Sequence, residues 1–140
     1  MSRTFGWAVL TMAVAMGLTV MAGEKAPVPF QDAMKSNAAA TGPMGLRAHA
    51  TAKDYDAIAK DAATIKANYA LIEAFWVQRK VEDAIAFSKT GSKAAADLET
   101  AAKAKDDGAI AAATMALTPT CGGCHMVHRE RLPDMTSEIK

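Results

Sequence analysis

The sequence lacks several features that would indicate a function directly. It has two cysteines in 140 residues, aromatic residues make up 6% of the chain, and 16 basic residues nearly balance 15 acidic ones. The formal charge of +1 leaves no basic excess to neutralise phosphates, which argues against nucleic-acid binding. A chain of this length forms one ordinary domain, so a multidomain assembly or a barrel enzyme is excluded.

β-Branched residues are also sparse, whereas alanine is the commonest residue. Alanine-rich stretches separated by lysine, glutamate and aspartate predict helices rather than sheet. Four amphipathic segments of bundle length follow one another, over about 30–49, 54–78, 81–105 and 109–131. They predict an all-α fold, an antiparallel four-helix bundle with up-down-up-down topology. Because alanine and glycine supply little apolar area, we expect something else to fill the interior of the bundle.

Three of these segments carry a stripe of apolar or small residues at steps of three and four, which predicts the buried faces of helices. The stripes consist of Tyr55, Ile58, Ala62, Ile65, Tyr69, Ile72 and Trp76, then of Ala84, Phe87, Gly91, Ala94, Leu98 and Ala101, and finally of Ile110, Ala113 and Leu117. Gly42 and Pro43 predict a break in the first segment. Asp106 is predicted to cap the last helix, and Thr118 with Pro119 to restart it.

Residues 1–22 have the pattern of a secretory signal peptide. Arg3 is their only charged residue, an apolar run follows it, and the run ends at the small residue Ala22. We expect cleavage after Ala22, which leaves residues 23–140 as a periplasmic domain with no stable membrane association. The alternative is an uncleaved anchor, because the uncharged stretch of about 20 residues from Thr4 to Gly23 is just long enough to span a bilayer.

Both cysteines fall in the sequence Cys-Gly-Gly-Cys-His, at Cys121 to His125. This is the pattern of covalent haem attachment, in which each thiol is linked to one porphyrin vinyl group and the histidine coordinates the iron. A structural disulfide and a thioredoxin-like redox pair are alternatives, but the redox pair belongs in a βαβ context. Zinc would need a second ligand pair that this chain does not offer. We predict one haem c held by Cys121 and Cys124, with His125 as an iron ligand.

The position of this motif, about 15 residues from the end of the chain and on the last of four helices, resembles class II cytochromes c, the cytochrome c-prime family. Arg129 four residues after His125, Phe87, and Asp107-Gly108 before the last helix are similar to residues of that family. The resemblance covers essentially all of residues 23–140. It implies a bundle enclosing one haem and a one-electron carrier rather than an enzyme. It also implies redox partner proteins in the periplasm and leaves a homodimer open.

The resemblance also suggests the sixth iron ligand. The segment from Phe30 to Met34 is similar to the low-spin branch of the family, in which a methionine of the first helix is the distal ligand. Met34 is therefore the expected ligand, and Phe30 and Ala38, one turn to either side, are expected to form an apolar wall over the ring. The other candidates outside the last helix are Met44, Met135 and His49. The alternative reading is a five-coordinate, high-spin protein that binds NO or CO.

Three further residues suggest how a partner would dock. His128, Arg129 and Arg131 follow the haem motif closely and are predicted to form a positive rim near it. Such a rim would attract an acidic redox partner for brief, salt-sensitive encounters.

Overall fold

The computed structural model describes residues 23–140, so the predicted signal peptide of residues 1–22 lies outside the described residues. The helices of this part are α1 (Val28–Thr41), α2 (Leu46–Ala52), α3 (Tyr55–Arg79), α4 (Glu82–Lys103) and α5 (Asp107–His128). Two short strands follow them, β1 (Arg129–Arg131) and β2 (Ser137–Ile139). No helix within residues 23–140 is long and apolar enough to cross a membrane.

The four longer helices pack against one another, which confirms the predicted all-α bundle. Helix α3 packs along both α1 and α4, and α4 packs along α5. Residues 80–81 connect α3 to α4 and residues 104–106 connect α4 to α5, so the chain must reverse at each connection. Helices α1 and α5 have little direct contact, which leaves a gap between them on one side of the bundle.

The predicted stripes form most of the core. Every stripe residue is buried except Tyr55 and Phe87, which are half-buried. Phe75 lies outside the predicted stripe but is also buried, and its ring centroid is 4.2 Å from that of Phe30 and 4.9 Å from that of Trp76. The periodicity therefore identified the buried faces, and the aromatic cluster at one end of α3 extends them.

The predicted break in the first segment is confirmed. Helix α1 ends at Thr41 and α2 begins at Leu46, with Gly42 and Pro43 between them. The chain turns so closely here that a Cβ atom on Gly45 would lie 2.1 Å from the backbone oxygen of Ala40. Glycine at position 45 is therefore required by the close approach of the two backbone segments.

The predicted cap of the last helix is confirmed, because Asp106 Oδ1 accepts a hydrogen bond from the backbone N–H of Ala109 at 2.9 Å. The predicted restart at Pro119 is wrong, since α5 runs through this residue without interruption. The Thr118 hydroxyl does not cap a helix but donates to the backbone oxygen of Thr114 at 3.0 Å. Pro119 lies on the exposed side of α5, where water can satisfy the carbonyl that the proline leaves free.

The predicted extent of the last helix to Arg131 is also wrong. Helix α5 ends at His128, and β1 pairs with β2 in antiparallel register, with Arg129 opposite Ile139. Glu24 bridges to Ile139 on its other side, so the start of the described chain adds to this ribbon. The ribbon forms because it buries Ile139, which is 8% exposed, against the bundle.

Candidate haem-attachment site

A cavity of about 180 Å³ lies in the gap between α1 and α5, and we call it the attachment cavity. All four long helices contribute to its lining. The four predicted site residues are among the lining residues, namely Met34 from α1 and Cys121, Cys124 and His125 from α5. The structure therefore brings these residues together, although Met34 and His125 are 91 positions apart in the sequence.

The haem motif occupies the last two turns of α5. Cys124 is buried, Cys121 and His125 are half-buried, and neither cysteine forms a disulfide bond. Because residues three and four apart lie on one side of a helix, the two thiols and the imidazole all face the attachment cavity. This arrangement presents two thiol sulfurs and one imidazole from a single helix.

The two glycines between the cysteines have different environments. A Cβ atom on Gly122 would meet nothing within 4 Å, whereas one on Gly123 would lie 2.6 Å from Cε1 of the Phe87 ring. Phe87 therefore packs directly on the backbone of the motif while it lines the attachment cavity. Glycine is needed at position 123 for this contact and is not needed for space at position 122.

Burial shifts the pKa values of two side chains in the site, Cys124 and His125. It raises the pKa of the Cys124 thiol to about 11, with smaller contributions from Asp83 and Cys121. It also lowers the pKa of His125 below the ordinary value of 6.5, and the positive charge of Arg129 adds to this effect. At neutral pH the imidazole is therefore uncharged, which is the form that binds a metal ion.

Tyr69 is a part of the site that the sequence analysis assigned only to the core. The residue is 5% exposed and lines the attachment cavity. Its hydroxyl lies 2.8 Å from Thr120 Oγ1 and 3.3 Å from Cys121 Sγ. The sequence signal for this role is the hydroxyl itself, since the neighbouring members of the α3 stripe, Ile65 and Ile72, carry no polar atom in their side chains.

Helix α1 forms the opposite wall. Met34, Ala38 and Thr41 line the attachment cavity, as does the buried Asn37, whose Oδ1 accepts a hydrogen bond of 2.9 Å from Asn68 Nδ2. The expectation that Phe30 adds to the apolar wall is wrong. It packs into the aromatic cluster with Phe75 and Trp76 instead of lining the cavity, because the buried face of α1 turns toward α3 at this point.

The remaining distal candidates lie away from the attachment cavity. Met44 is 85% exposed and Met135 is 67% exposed. His49 lies on α2, where its Nδ1 is 2.7 Å from Asp61 Oδ2. Met34 is the candidate that faces the same cavity as His125.

The predicted docking rim has a mixed composition. Arg129 and Arg131 are exposed on β1, but Glu130 lies between them and pairs opposite Glu138. The His128 side chain is only 13% exposed, because its ring packs 5.0 Å from that of Trp76 and its Nε2 lies 2.9 Å from Asp83 Oδ2. The two arginines are therefore the exposed cations of this rim.

A second cavity of about 740 Å³ adjoins the first between α2 and α5, and both are lined by Thr41 and Cys121. The attachment cavity alone is smaller than the range of about 300 to 1,000 Å³ that ligand sites usually occupy. The donor set nevertheless fits a haem, since two free thiols and a neutral imidazole converge on this cavity. Because α1 packs chiefly on α3, there is little direct contact between α1 and α5 to break if the gap between them widens.

No family model, no curated protein and no solved structure matches this chain. The functional assignment of the cavity therefore rests on its own residues and their geometry.

Proposed function

We propose that this chain is a periplasmic, mono-haem c-type cytochrome that carries single electrons. The observation that carries the proposal is that two free thiols, a neutral imidazole and a thioether from a different helix line one cavity. When bound, a haem would supply an iron that alternates between the ferric and ferrous states.

Four residues of the chain would hold the haem. Cys121 and Cys124 would form the two thioether links, and His125 would ligate the iron from α5 through its neutral imidazole. Met34 would be the ligand from α1, and a thioether ligand favours ferrous iron and so raises the reduction potential. Ile72 and Phe87 line the same cavity, and their apolar side chains would limit the access of water.

The resemblance to class II cytochromes c supports the same proposal. Four packed helices with the Cys-Gly-Gly-Cys-His motif on the last of them agree with the architecture that this resemblance implies. The exposed Arg129 and Arg131, which lie on β1 four and six residues beyond His125, suit brief contact with an acidic redox protein. Electron transfer of this kind requires no substrate site, so we propose a carrier rather than an enzyme.

The test is to produce the full chain together with a c-type haem maturation system and to record spectra of the ferric and ferrous forms. We expect a red protein with a low-spin, six-coordinate ferric spectrum and reversible one-electron reduction. A colourless protein would contradict the proposal. A high-spin ferric spectrum with ready CO binding would instead favour the five-coordinate, gas-binding alternative.

A further inference from the structure

The Tyr69 hydroxyl forms part of a hydrogen-bond chain that ends at one of the two motif cysteines. Thr120 Oγ1 donates its only proton to the backbone oxygen of Leu117 at 2.7 Å, so it cannot also donate to Tyr69. At its 2.8 Å contact with Tyr69, Thr120 Oγ1 must therefore accept, and the Tyr69 O–H donates. The phenol oxygen is then left to accept from the Cys121 S–H at 3.3 Å, and it is a nearer acceptor than the Leu117 backbone oxygen, which lies 4.0 Å from Cys121 Sγ.

The position of Tyr69 is tightly restricted. A Cβ atom on Gly91 of α4 would lie 2.2 Å from Cζ of the Tyr69 ring, so the ring lies directly on the α4 backbone. Burial raises the pKa of the phenol above its usual range, which keeps the hydroxyl protonated. Its oxygen is consequently held at one place beside Cys121.

The two cysteines differ in their burial and in the hydrogen bonding of their thiols. Cys121 is half-buried and its thiol is hydrogen-bonded to Tyr69, whereas Cys124 is buried and its thiol has no hydrogen-bond partner among residues 23–140. A thiol on a half-exposed helix position would otherwise sample several rotamers. The contact with Tyr69 restricts Cys121 to a rotamer that faces the attachment cavity, which Tyr69 also lines.

We propose that Tyr69 is a positioning residue for thioether formation at Cys121. This inference rests on the proposed function and adds a role for α3 in the attachment. In the step that it assists, a bond forms between Cys121 Sγ and the inner vinyl carbon, and the vinyl π bond breaks. The thiol hydrogen ends on the outer vinyl carbon, so no electrons are gained or lost.

The first test uses the haem-free, reduced full chain and needs no haem. Tyr69→Phe removes the oxygen that accepts from Cys121. It does not leave Thr120 without a hydrogen bond, because Thr120 still donates to the backbone oxygen of Leu117. We expect the alkylation rate of Cys121 to rise about fivefold, with little change at Cys124, because loss of a hydrogen bond of about 1 kcal/mol frees the thiol and a small, freely diffusing reagent can meet it in any rotamer. Peptide mass spectrometry separates the two sites, and an unchanged Cys121 rate would overturn the proposal.

The second test mixes the same reduced chain with ferrous haem and follows each thioether link over time. We expect the Cys121 link to form about fivefold more slowly in Tyr69→Phe than in the wild type, and the Cys124 link to be less affected. An equal slowing of both links, or none, would overturn the role of Tyr69. Failure of the wild type to form any link would instead contradict the proposed function, while the alkylation result would still report on the contact.

Tyr55→Phe is the matched control for both tests. Tyr55 lies on the same helix and its hydroxyl is also hydrogen-bonded, to Asp107 Oδ1 at 3.0 Å. It does not line the attachment cavity. This variant also removes one phenolic oxygen from α3. We expect the rates of alkylation and of thioether formation at Cys121 to stay at the wild-type values.

Discussion

At the scale of single residues, the two glycines of the motif differ in what surrounds them, although they are neighbours in sequence. Gly122 is exposed with open space around it, and Gly123 lies under the Phe87 ring. In a helix, alanine is favoured over glycine by about 1 kcal/mol where nothing obstructs it. The same substitution under an aromatic ring overpacks the contact.

We therefore expect Gly122→Ala to raise the free energy of unfolding by about 0.5 to 1 kcal/mol. Gly123→Ala should lower it by about 1 kcal/mol, because the displacement of Phe87 outweighs the helix propensity of alanine. Urea denaturation of the haem-free chain measures the free energy of unfolding of both variants. A rise in the free energy of unfolding for Gly123→Ala would show that Phe87 does not restrict position 123.

Met34 is the residue on which the proposed six-coordinate state depends. Its replacement by alanine removes the α1 sulfur that lines the attachment cavity. We expect the holoprotein of Met34→Ala to change from a low-spin to a high-spin ferric spectrum and to show a lower reduction potential, because the thioether that favours ferrous iron is lost.

Met44→Ala provides the control for this variant, since Met44 is 85% exposed and lies outside the cavity. Its spectrum and potential should match those of the wild type. Identical spectra for Met34→Ala and the wild type would reject Met34 as the ligand.

At the scale of elements, Glu99 ties α4 to α3. Its Oε1 accepts from Lys103 Nζ of the same helix at 2.6 Å, and its Oε2 accepts from Lys66 of α3. The bond from Lys103, followed by that from Lys66, lowers the pKa of Glu99 from 4.5 to about 2. Because the folded state binds this proton less tightly than the unfolded state, the stabilisation is complete above pH 4.5 and is lost as the pH falls toward 2.

Glu99→Gln should accordingly have a lower urea midpoint than the wild type at pH 7, and this difference should shrink between pH 4.5 and pH 2. Asp97→Asn is the control, because the Asp97 ion pair with Lys93 is exposed and lies within α4. We expect it to have a smaller effect at pH 7. A Glu99→Gln difference that is the same at every pH would contradict the assignment.

Pro119 is a second feature at this scale, because it lies inside α5 and cannot donate to the carbonyl of Met115. Proline in a helix interior is less favourable than alanine by about 3 kcal/mol. Since Pro119 is exposed, we expect Pro119→Ala to raise the free energy of unfolding by about 1 to 3 kcal/mol in urea denaturation. A loss of stability would indicate that the packing of α5 requires the proline.

At the scale of the whole molecule, the sequence predicted what depends on neighbours along the chain. The helical segments, the stripe on α3 and the cap at Asp106 follow from local periodicity and local hydrogen bonding, and the structure confirms them apart from the end of the last helix. The spacing of Cys121, Cys124 and His125 placed these three side chains on one side of a helix for the same reason. Met34 of α1 lines the same cavity as these three residues.

What the sequence did not predict depends on contacts between distant segments. Phe30 turns to Phe75 and Trp76 because α1 packs on α3, and no local pattern encodes that rotation. The pairing of β1 with β2 depends on the burial of Ile139, and the contact of Tyr69 with Cys121 joins positions 52 residues apart. These features could be identified only from the tertiary structure.

We propose that Cys121 and Cys124 together hold one haem covalently. The most direct measurement is the mass of the holoprotein after denaturation and extraction with acidified acetone, followed by the mass of the peptide that contains the motif. We predict that the haem stays with the chain and that the peptide from residues 121–125 carries it through both sulfurs. A chain that releases its haem, with both cysteines recovered free or as a disulfide, would rule out covalent attachment.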